Sequence, residues 1–483
     1  MFKLIVTKEL REILASTKFA MTFGVCSLLI VLAFFLGARG YHVGRAQYDA
    51  ALSEARRQLE GQTDWLDVSP TAFLPPQPLA YLVPGISNDI GRTTEVRGRG
   101  SVRAEGSRFA EEPLVALFRF VDLEFTFQVV LSLLAMLFAF DAVCGERERG
   151  TLGLTFSQAV PRGTYILGKI VGSLLALTVP LLIPLAAGGL VYELMGVPMS
   201  GPDWLRLGLV VMAGMLYIGA ILGLSVLISA LTRHSATAFV LLLSLWVVGV
   251  LVVPRASVLL AARSVDVPSM DSLLSQRSRL WAQLWREDQK AINDFMREQL
   301  SFPDEDADVG ERQAAMERGV AGFNEKFDQL AEERQRKIAA LDARLSEERN
   351  NRQRWQQGLA LGIARVSPAS TFTLAATHLA GTSLDLPEDY RSQVSAYQER
   401  FSAFQQEKTG RSSGGIRMVV KLGDSEEDEP GPIDPTELPA FVWDPPPVDR
   451  VLRAGVFDLS LLAFFNLLFF AGAFVAFLRY DVR

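Results

Sequence analysis

Asp141-Ala-Val-Cys-Gly-Glu-Arg-Glu-Arg-Gly-Thr-Leu152 is a charged stretch that follows one long apolar run and precedes another. The apolar runs cover residues 120–143 and 165–191, and each can cross the roughly 30 Å of bilayer hydrocarbon as a helix. Residues 144–164, which we name the charged connection, carry both acidic and basic side chains. Basic residues in short loops favour the cytoplasm. The stretch therefore predicts a cytoplasmic docking surface between two membrane spans.

The 483-residue chain as a whole alternates apolar runs with strongly polar segments, and 49% of its residues are hydrophobic while 21% are charged. This mixture is typical of membrane helices joined to water-exposed regions. The net charge of −6 comes from segments of mixed sign without a sustained basic surface, which argues against a nucleic-acid partner. The predicted fold is mainly α, a polytopic membrane protein whose six spans are residues 19–36, 120–143, 165–191, 205–231, 236–253 and 456–478.

The polar segments outside the spans differ in character. Residues 1–18 form a predicted amphipathic helix that lies along the membrane surface, or alternatively a solvated leader, and its polar side carries Lys8, Glu9 and Arg11. Residues 37–119 contain several prolines and predict a small domain or a long ordered loop. A second, larger polar region covers residues 255–453.

The larger polar region contains a heptad-like pattern. Apolar residues at alternating spacings of three and four predict an antiparallel coiled-coil hairpin over about residues 271–360. Its turn is expected at Ser301-Phe-Pro-Asp-Glu-Asp-Ala-Asp-Val-Gly310. The seam either packs only on itself or also meets a partner subunit, and it is expected to be broadened by Trp281, Trp285 and Trp355. After the hairpin, Pro368 to Leu384 is mildly apolar and is expected at the membrane surface.

Orientation follows from the basic residues near the spans. Lys3, Lys8, Arg11 and Lys18 precede the first span, and Arg147, Arg149, Arg162 and Lys169 lie between the second and third. With an even number of spans, both termini, residues 1–18 and 479–483, are predicted in the cytoplasm. Both long polar regions are then extracytoplasmic, and the expected location is a bacterial inner membrane.

Catalytic chemistry is not indicated by the residues present. The three histidines, His42, His234 and His378, lie in separate polar segments, so neither a hydrolase triad nor a metal site has ligands at useful spacing. The acidic run from Asp424 to Glu437 is either an ion site or, as is usual for such runs, a solvated linker. Asp141 and Asp458 lie near the ends of their spans, which argues against a proton-coupled transporter.

One pattern resembles the beginning of a phosphate-binding loop, namely Gly163-Thr-Tyr-Ile-Leu-Gly168-Lys169. A working loop follows a strand and has Ser or Thr after the lysine to hold the metal. Here Ile170 stands at that place and the segment opens a membrane span. The chain is therefore expected to have no ATPase site of its own, and its energy must come from elsewhere.

Three motifs together resemble the signature of permeases of the type-2 ATP-binding-cassette (ABC) exporter family. They are Asp141 to Leu152, Ser157-Gln-Ala-Val-Pro-Arg162 and Leu167-Gly-Lys169. The resemblance is to the branch grouped with multicopper-enzyme-maturation and gliding-motility permeases, and it extends to Leu216-Tyr-Ile-Gly-Ala-Ile-Leu-Gly223 and Ser229-Ala-Leu-Thr-Arg233. It is strongest over the membrane part of the chain.

The resemblance implies a six-helix permease that pairs with a second copy or a homologous permease in membrane lipid. It also implies separate ABC ATPase subunits, which would hold ATP and Mg, so no cofactor is expected in this chain. Residues 144–164 would match the family's coupling segment and the leader its interfacial helix. The residues implied for coupling are Gly145, Glu146, Arg147, Glu148, Arg149, Gly150, Thr151, Leu152 and Arg162.

The residue types suit that role. Residues 146–149 offer both signs of charge for docking, Gly145 and Gly150 would permit a sharp turn, and apolar contact is expected from Leu152, Leu154 and Phe156. Three functions remain open at this point. The chain is an exporter subunit, or a mechanotransmitter that passes ATP-driven motion through the outer hairpin to an extracytoplasmic protein partner, or a purely structural membrane scaffold, which co-purification of an ATPase would exclude.

Overall fold

A computed structural model describes residues 2–97, 104, 106, 121–158, 160–299, 309–409 and 433–479. The fold is mainly α, as predicted. In chain order the helices are α1 (Phe2–Leu14), α2 (Thr17–Leu59), α3 (Leu123–Phe125 continued by a π-helical turn Thr126–Leu131 and by Ser132–Ala139), α4 (Cys144–Glu148), α5 (Thr151–Phe156), α6 (Arg162–Leu194), α7 (Gly201–Leu231), α8 (Ser235–Val247 continued by a π-helical turn Val248–Val252 and by Val253–Ser264), α9 (Met270–Gln299), α10 (Val309–Ala364), α11 (Pro368–Ala380), α12 (Leu386–Thr409) and α13 (Val448–Leu478).

Six helical segments are long and apolar enough to cross a membrane, namely Thr17–Leu59, Leu123–Glu148, Arg162–Leu194, Gly201–Leu231, Ser235–Ser264 and Val448–Leu478. They confirm the six predicted spans, although two helices continue beyond the predicted ends. Helix α2 continues past Gly37 because its glycines provide a packing surface. A Cβ at Gly37 would lie 3.0 Å from Leu82, and one at Gly44 only 2.0 Å from the Tyr81 hydroxyl.

Helix α8 also runs further than the sequence predicts. The predicted span ends at Val253, just before Pro254, because proline lacks the N–H that a helix interior needs. In the structure the π-helical turn Val248–Val252 precedes Pro254, which occupies the first turn of the next helical piece. Proline is tolerated there because the first N–H groups of a helix have no intrahelical partner. The helix therefore continues to Ser264.

The centre of the membrane bundle is α7, the most buried of the six candidate spans, because 61% of its most apolar stretch is buried. It packs against α13, α11, α3 and α6. Helix α11 packs between α7 and α13, and its expected place at the membrane surface stays a prediction. Phe372 is fully buried and stacks on Tyr217 with ring centroids 5.3 Å apart, and the Ser367 hydroxyl donates a 2.7 Å hydrogen bond to the Gly249 carbonyl.

A second, smaller core joins the two polar regions, which the sequence treats as separate. An antiparallel pair of short strands, β1 (Thr71–Phe73) and β2 (Thr93–Glu95), packs against α12. Tyr390 on α12 donates a hydrogen bond of 2.9 Å to the Ala72 carbonyl, and Gln405 donates one of 2.7 Å to the Trp65 carbonyl. The polar regions therefore form one domain with a shared core.

Helices α9 and α10 form an arm and run antiparallel, an arrangement compatible with the predicted hairpin. The ion pair between Arg277 and Asp342 measures 3.4 Å, and Arg334 pairs with Asp288 further along. The seam buries Leu284, Ile292 and Ile338. Trp281 and Trp355 are exposed, contrary to the prediction, whereas Trp285 lies at the edge of the seam, 5.2 Å from the Arg334 guanidinium of α10. Residues 301–308 of the predicted turn, residues 424–432 of the acidic run and the tail 480–483 lie outside the described residues.

Candidate functional site

A group of opposite charges, which we name the ion cluster, joins α1, α4 and α6. The Lys169 ammonium lies 2.9 Å from Glu9 Oε2 and 2.9 Å from Glu146 Oε1, and the Lys8 ammonium lies 3.1 Å from the same Glu146 oxygen. The Tyr165 hydroxyl donates a 2.6 Å hydrogen bond to Glu146 Oε2. Two ammonium groups and two carboxylates thus balance in charge.

Burial makes the ion cluster energetically sensitive. Only 5% of the Lys169 side chain, 8% of Glu9 and 4% of Glu146 are exposed. Burial raises the pKa of the Glu9 carboxyl above its ordinary value, although the neighbouring Lys169 opposes this shift. Removing one partner from a buried ion pair costs about 3–5 kcal/mol because the other charge is left uncompensated. Loss of one buried charge of the cluster is therefore expected to weaken the packing of α1, α4 and α6.

Glycines on α6 allow α1 to approach closely enough for these contacts. A Cβ at Gly168 would lie 2.7 Å from Ile5 Cγ2, and one at Gly172 would lie 2.7 Å from Glu9 Cβ. Of the apparent phosphate-binding loop, Gly168 therefore serves the packing of α1, and Lys169 belongs to the ion cluster. Helix α1 packs on α6 with one face, while its opposite side leaves Phe2 and Leu4 exposed.

The charged connection is also tied to the corner between α7 and α8. The Ser229 hydroxyl accepts hydrogen bonds from the backbone N–H groups of Val143 at 3.0 Å and Cys144 at 3.2 Å. Glu148 accepts from the Ser235 backbone N–H at 3.0 Å and from the Ser235 hydroxyl. This carboxylate caps the first turn of α8. Together with the ion cluster and the bonds to Ser229, it brings the connection into contact with α1, α6, α7 and α8.

Several residues of the charged connection are not placed as expected. Glu146 was expected on an exposed docking surface but is buried in the ion cluster, because Lys169 and Lys8 reach it from other parts of the chain. Arg162 donates hydrogen bonds to the carbonyls of Leu478 and Phe477 and so caps the end of α13. Its guanidinium is thereby engaged within the chain.

The two glycines of the connection also differ. Gly150 adopts a left-handed backbone with φ of 72° immediately before α5, so the predicted turn lies there. Gly145 is helical instead, and a Cβ at this position would lie 3.0 Å from Asp141 Cβ. The short turn-forming role expected of Gly145 was therefore wrong, and close packing inside the helix accounts for its small size.

The exposed part of the connection is a small face around α5. Leu154 exposes 70% of its surface, and Thr151 beside it is exposed. Leu152 is buried, and the Phe156 ring packs 5.2 Å from Tyr165 and 5.5 Å from Phe477. The apolar contact expected from three side chains is thus available mainly from Leu154.

The charged residues around this face keep internal contacts as well. Arg149 donates a 3.1 Å hydrogen bond to the Gly145 carbonyl and lies 3.9 Å from Glu12. Arg147 is half-buried, whereas Arg11 on α1 is exposed. The exposed face therefore combines one large apolar side chain with basic and hydroxyl groups.

A second buried charge group lies at the other end of α13 and was missed by sequence reasoning. Asp458 is fully buried, and Arg365 donates to its two oxygens at 2.6 and 3.2 Å. His378 Nδ1 lies 3.3 Å from the same carboxylate. Asp458 and His378 belong to α13 and α11, and Arg365 directly follows the end of α10, so the base of the arm is fixed to the membrane bundle. The only signal in the sequence is an aspartate near the beginning of an apolar run.

Metal chemistry finds no support within the part of the chain that the structure describes, where no group of three or more His, Cys, Asp or Glu side chains could hold an ion. Cys26 and Cys144 are both buried and unpaired with each other.

Comparison with known proteins gives two matches. The family model for ABC-2 family transporter proteins matches residues 4–482. A probable ABC transporter permease protein, NosY of Stutzerimonas stutzeri, is 32% identical over 125 residues, which cover 26% of this chain and 45% of NosY. This chain thus spans less than half of the length of that relative.

Proposed function

Because this chain belongs to the ABC-2 family of transporter proteins, we propose that it is the membrane permease subunit of an ATP-driven exporter. It would work as a pair with a second copy or a homologous permease, in a bacterial inner membrane with both termini cytoplasmic. Separate ATPase subunits would hold ATP and Mg. The observation that supports this most directly is the ion cluster, because it attaches the charged connection to α1 and α6.

The proposed coupling begins at the exposed face of α5. An ATPase subunit would contact Leu154 and the neighbouring basic groups, and its movement would displace α4 and α5 together. The ion cluster would pass this displacement to α1 and α6, and the bonds of Glu148 and Ser229 would pass it to α8 and α7. Spans α2, α3 and α8 would then rearrange to move a substrate outward or out of the bilayer.

A second candidate function is mechanotransmission without translocation. Helix α10 has 56 residues and would be about 84 Å long at the usual rise of an α-helix. The contact of Arg365 with Asp458 joins the base of this helix to α13. Motion of the bundle would then reach the arm and an extracytoplasmic protein partner.

Leu154→Asp tests the docking proposal, because Leu154 is largely exposed and its replacement leaves the core unchanged. The variant is expected to lose most of the ATPase that co-purifies with the wild-type complex and most of the ATPase activity stimulated by the permease in lipid nanodiscs. Leu384→Asp is the matched control, since Leu384 is an exposed leucine in the polar domain. Equal co-purification and activity for wild type and Leu154→Asp would overturn the proposal.

Cleavage of the arm separates the two candidate functions. A protease site inserted between residues 301 and 308 would cut the connection between α9 and α10 without removing either helix. An exporter is expected to keep its substrate-stimulated ATPase activity after cleavage. A mechanotransmitter would keep docking of the ATPase but lose its effect on the partner.

A further inference from the structure

Helix α7 carries a buried arginine that has no carboxylate partner among the described residues. Only 8% of Arg206 is exposed. Its Nη2 atom donates a 2.6 Å hydrogen bond to the Pro446 carbonyl, while its Nε atom has no hydrogen-bond partner in the described part of the chain. Burial of an unpaired charge is costly. The guanidinium therefore requires an anion that the described residues do not supply.

The neighbouring carboxylates are engaged elsewhere. Asp203, one turn earlier on α7, accepts a 3.0 Å hydrogen bond from the Ser200 N–H and another from the Ser200 hydroxyl. Two carboxylates near the beginning of α13 already pair with other arginines, Asp449 with Arg453 at 3.1 Å and Asp389 with Arg450 at 3.4 Å. Arg206 is thus a surplus positive charge where α7 meets the beginning of α13.

The beginning of α13 leaves further donors without a side-chain partner. The N-cap residue of this 31-residue helix is Pro447, and no side chain caps the helix. The first N–H groups of a helix have no intrahelical partner and carry partial positive charge. Arg206 contacts the carbonyl of Pro446, the residue before the cap, so its guanidinium is close to these N–H groups. A helix N-terminus and an arginine both suit phosphate and similar oxyanions.

The surroundings of Pro446 allow a ligand to approach. Pro445 and Pro447, on either side of the carbonyl that Arg206 contacts, are both exposed. The guanidinium therefore lies just below the surface of the protein. An anion at that surface can reach it without unfolding of the chain.

The depth of Arg206 in the membrane is that of lipid headgroups. Helix α7 has 31 residues and would be about 46 Å long, so about 8 Å projects at each end from hydrocarbon that is about 30 Å thick. Arg206 is five residues from the first residue, Gly201, which is also about 8 Å along the helix. Trp204 beside it is 37% exposed, and tryptophan is enriched at this boundary.

We propose that Arg206 and the beginning of α13 form a binding site for a phosphate group. The guanidinium would hold the phosphate from α7, and the first N–H groups of α13 would hold it from the other helix. The group belongs either to a phospholipid headgroup or to a free oxyanion, which share this chemistry. Bound there, it would fix the beginning of α13 to α7. The inference depends neither on pairing of the chain nor on an ATPase subunit.

Ligand titration of the purified full-length chain in detergent tests the site. The unfolding midpoint is recorded with dioctanoylphosphatidylglycerol, with dioctanoylglycerol, which lacks the phosphate, and with inorganic phosphate. Arg206→Gln removes the charge but keeps a donor for the Pro446 carbonyl. Arg263→Gln is the matched control, because Arg263 is an exposed arginine in the last turn of α8.

A phosphate-containing probe is expected to raise the midpoint of the wild type and of Arg263→Gln equally. Its dissociation constant should be roughly ten-fold higher for Arg206→Gln, because a charged hydrogen-bond donor is lost. A shift with the phospholipid but not with inorganic phosphate identifies a headgroup site, and equal shifts at equal concentration identify a site for a free oxyanion. Equal affinity of the wild type and Arg206→Gln, or equal shifts with dioctanoylglycerol and the phospholipid, would overturn the site.

Val448→Pro tests the contribution of α13 independently. Val448 is the first residue of the helix and follows an extended residue, Pro447, so proline fits there but lacks the N–H that would bind the phosphate. The variant is expected to bind the phosphate probe several-fold more weakly and to keep the midpoint of the ligand-free chain. Unchanged binding would overturn the assignment of the α13 N-terminus to the site.

Discussion

Replacement of Lys169 by methionine is the sharpest test of the ion cluster. The side chain is 5% exposed and lies 2.9 Å from carboxylate oxygens of both Glu9 and Glu146. Lys169→Met preserves much of the volume but leaves two buried carboxylates facing each other, with only the partly exposed Lys8 near Glu146. The expected loss of stability is about 3–5 kcal/mol, as for other buried ion pairs that lose one partner.

Lys8→Met is the matched control because it removes the same chemical group from the same cluster. Its side chain is 55% exposed, so water compensates for most of the lost interaction and the expected cost is about 0.2–1 kcal/mol. Thermal unfolding of the purified chain in detergent, at one fixed scan rate, compares the two variants. The midpoint is expected to fall several times further for Lys169→Met than for Lys8→Met.

Neutralising the carboxylates completes the test. Addition of Glu9→Gln and Glu146→Gln to Lys169→Met removes the uncompensated charges and is expected to restore most of the lost midpoint. A triple variant that is no more stable than Lys169→Met would contradict the electrostatic explanation. Equal midpoints for Lys169→Met and Lys8→Met would refute the assignment of Lys169 as the buried centre of the cluster.

Three further predictions concern other parts of the chain. Gly172→Ala is expected to displace α1 and lower the unfolding midpoint, while Gly153→Ala, at a site with no atom within 4 Å of the added Cβ, should leave it unchanged. Asp458→Asn is expected to cost about 3 kcal/mol because a buried ion pair is broken, whereas Asp449→Asn on the exposed start of α13 should change the midpoint little. Burial raises the pKa of Tyr390 to about 12. The stabilisation by its neutral hydroxyl is therefore complete below the ordinary tyrosine pKa of about 10, and about 3 kcal/mol of it is lost as the pH rises through 12. Tyr390→Phe should remove this alkaline loss, which denaturant titrations at several pH values measure.

The six spans could be predicted from the sequence because long apolar runs are local signals. Their ends could not, because the same residue can stop a helix or serve its packing. Gly37 and Pro254 stood at the predicted ends of two spans, yet the first provides room for Leu82 and the second follows a π-helical turn. Which role applies depends on neighbours that are distant in the chain.

The internal arrangement of the charged connection could not be predicted from the sequence. The charges of the connection indicated an exposed docking surface, and no local pattern distinguishes Glu146, which is buried, from Glu148, which is partly exposed. The difference arises from Lys169 in the next span and from Lys8 in the leader. The shared core of the polar domain was missed for the same reason, since Trp65 and Gln405 are separated by most of the chain.

Helix α13 joins the charged connection to the buried group around Asp458. At one end its last carbonyls accept hydrogen bonds from Arg162 of the charged connection, and towards the other end Asp458 holds Arg365 at the base of the arm. The 21 residues from Asp458 to Leu478 extend about 30 Å as a helix, which equals the thickness of the hydrocarbon. A displacement of the connection therefore has a continuous helical route across the membrane. Because both proposed functions would use this route, they would differ in what the moving arm and spans act upon rather than in how the chain receives force.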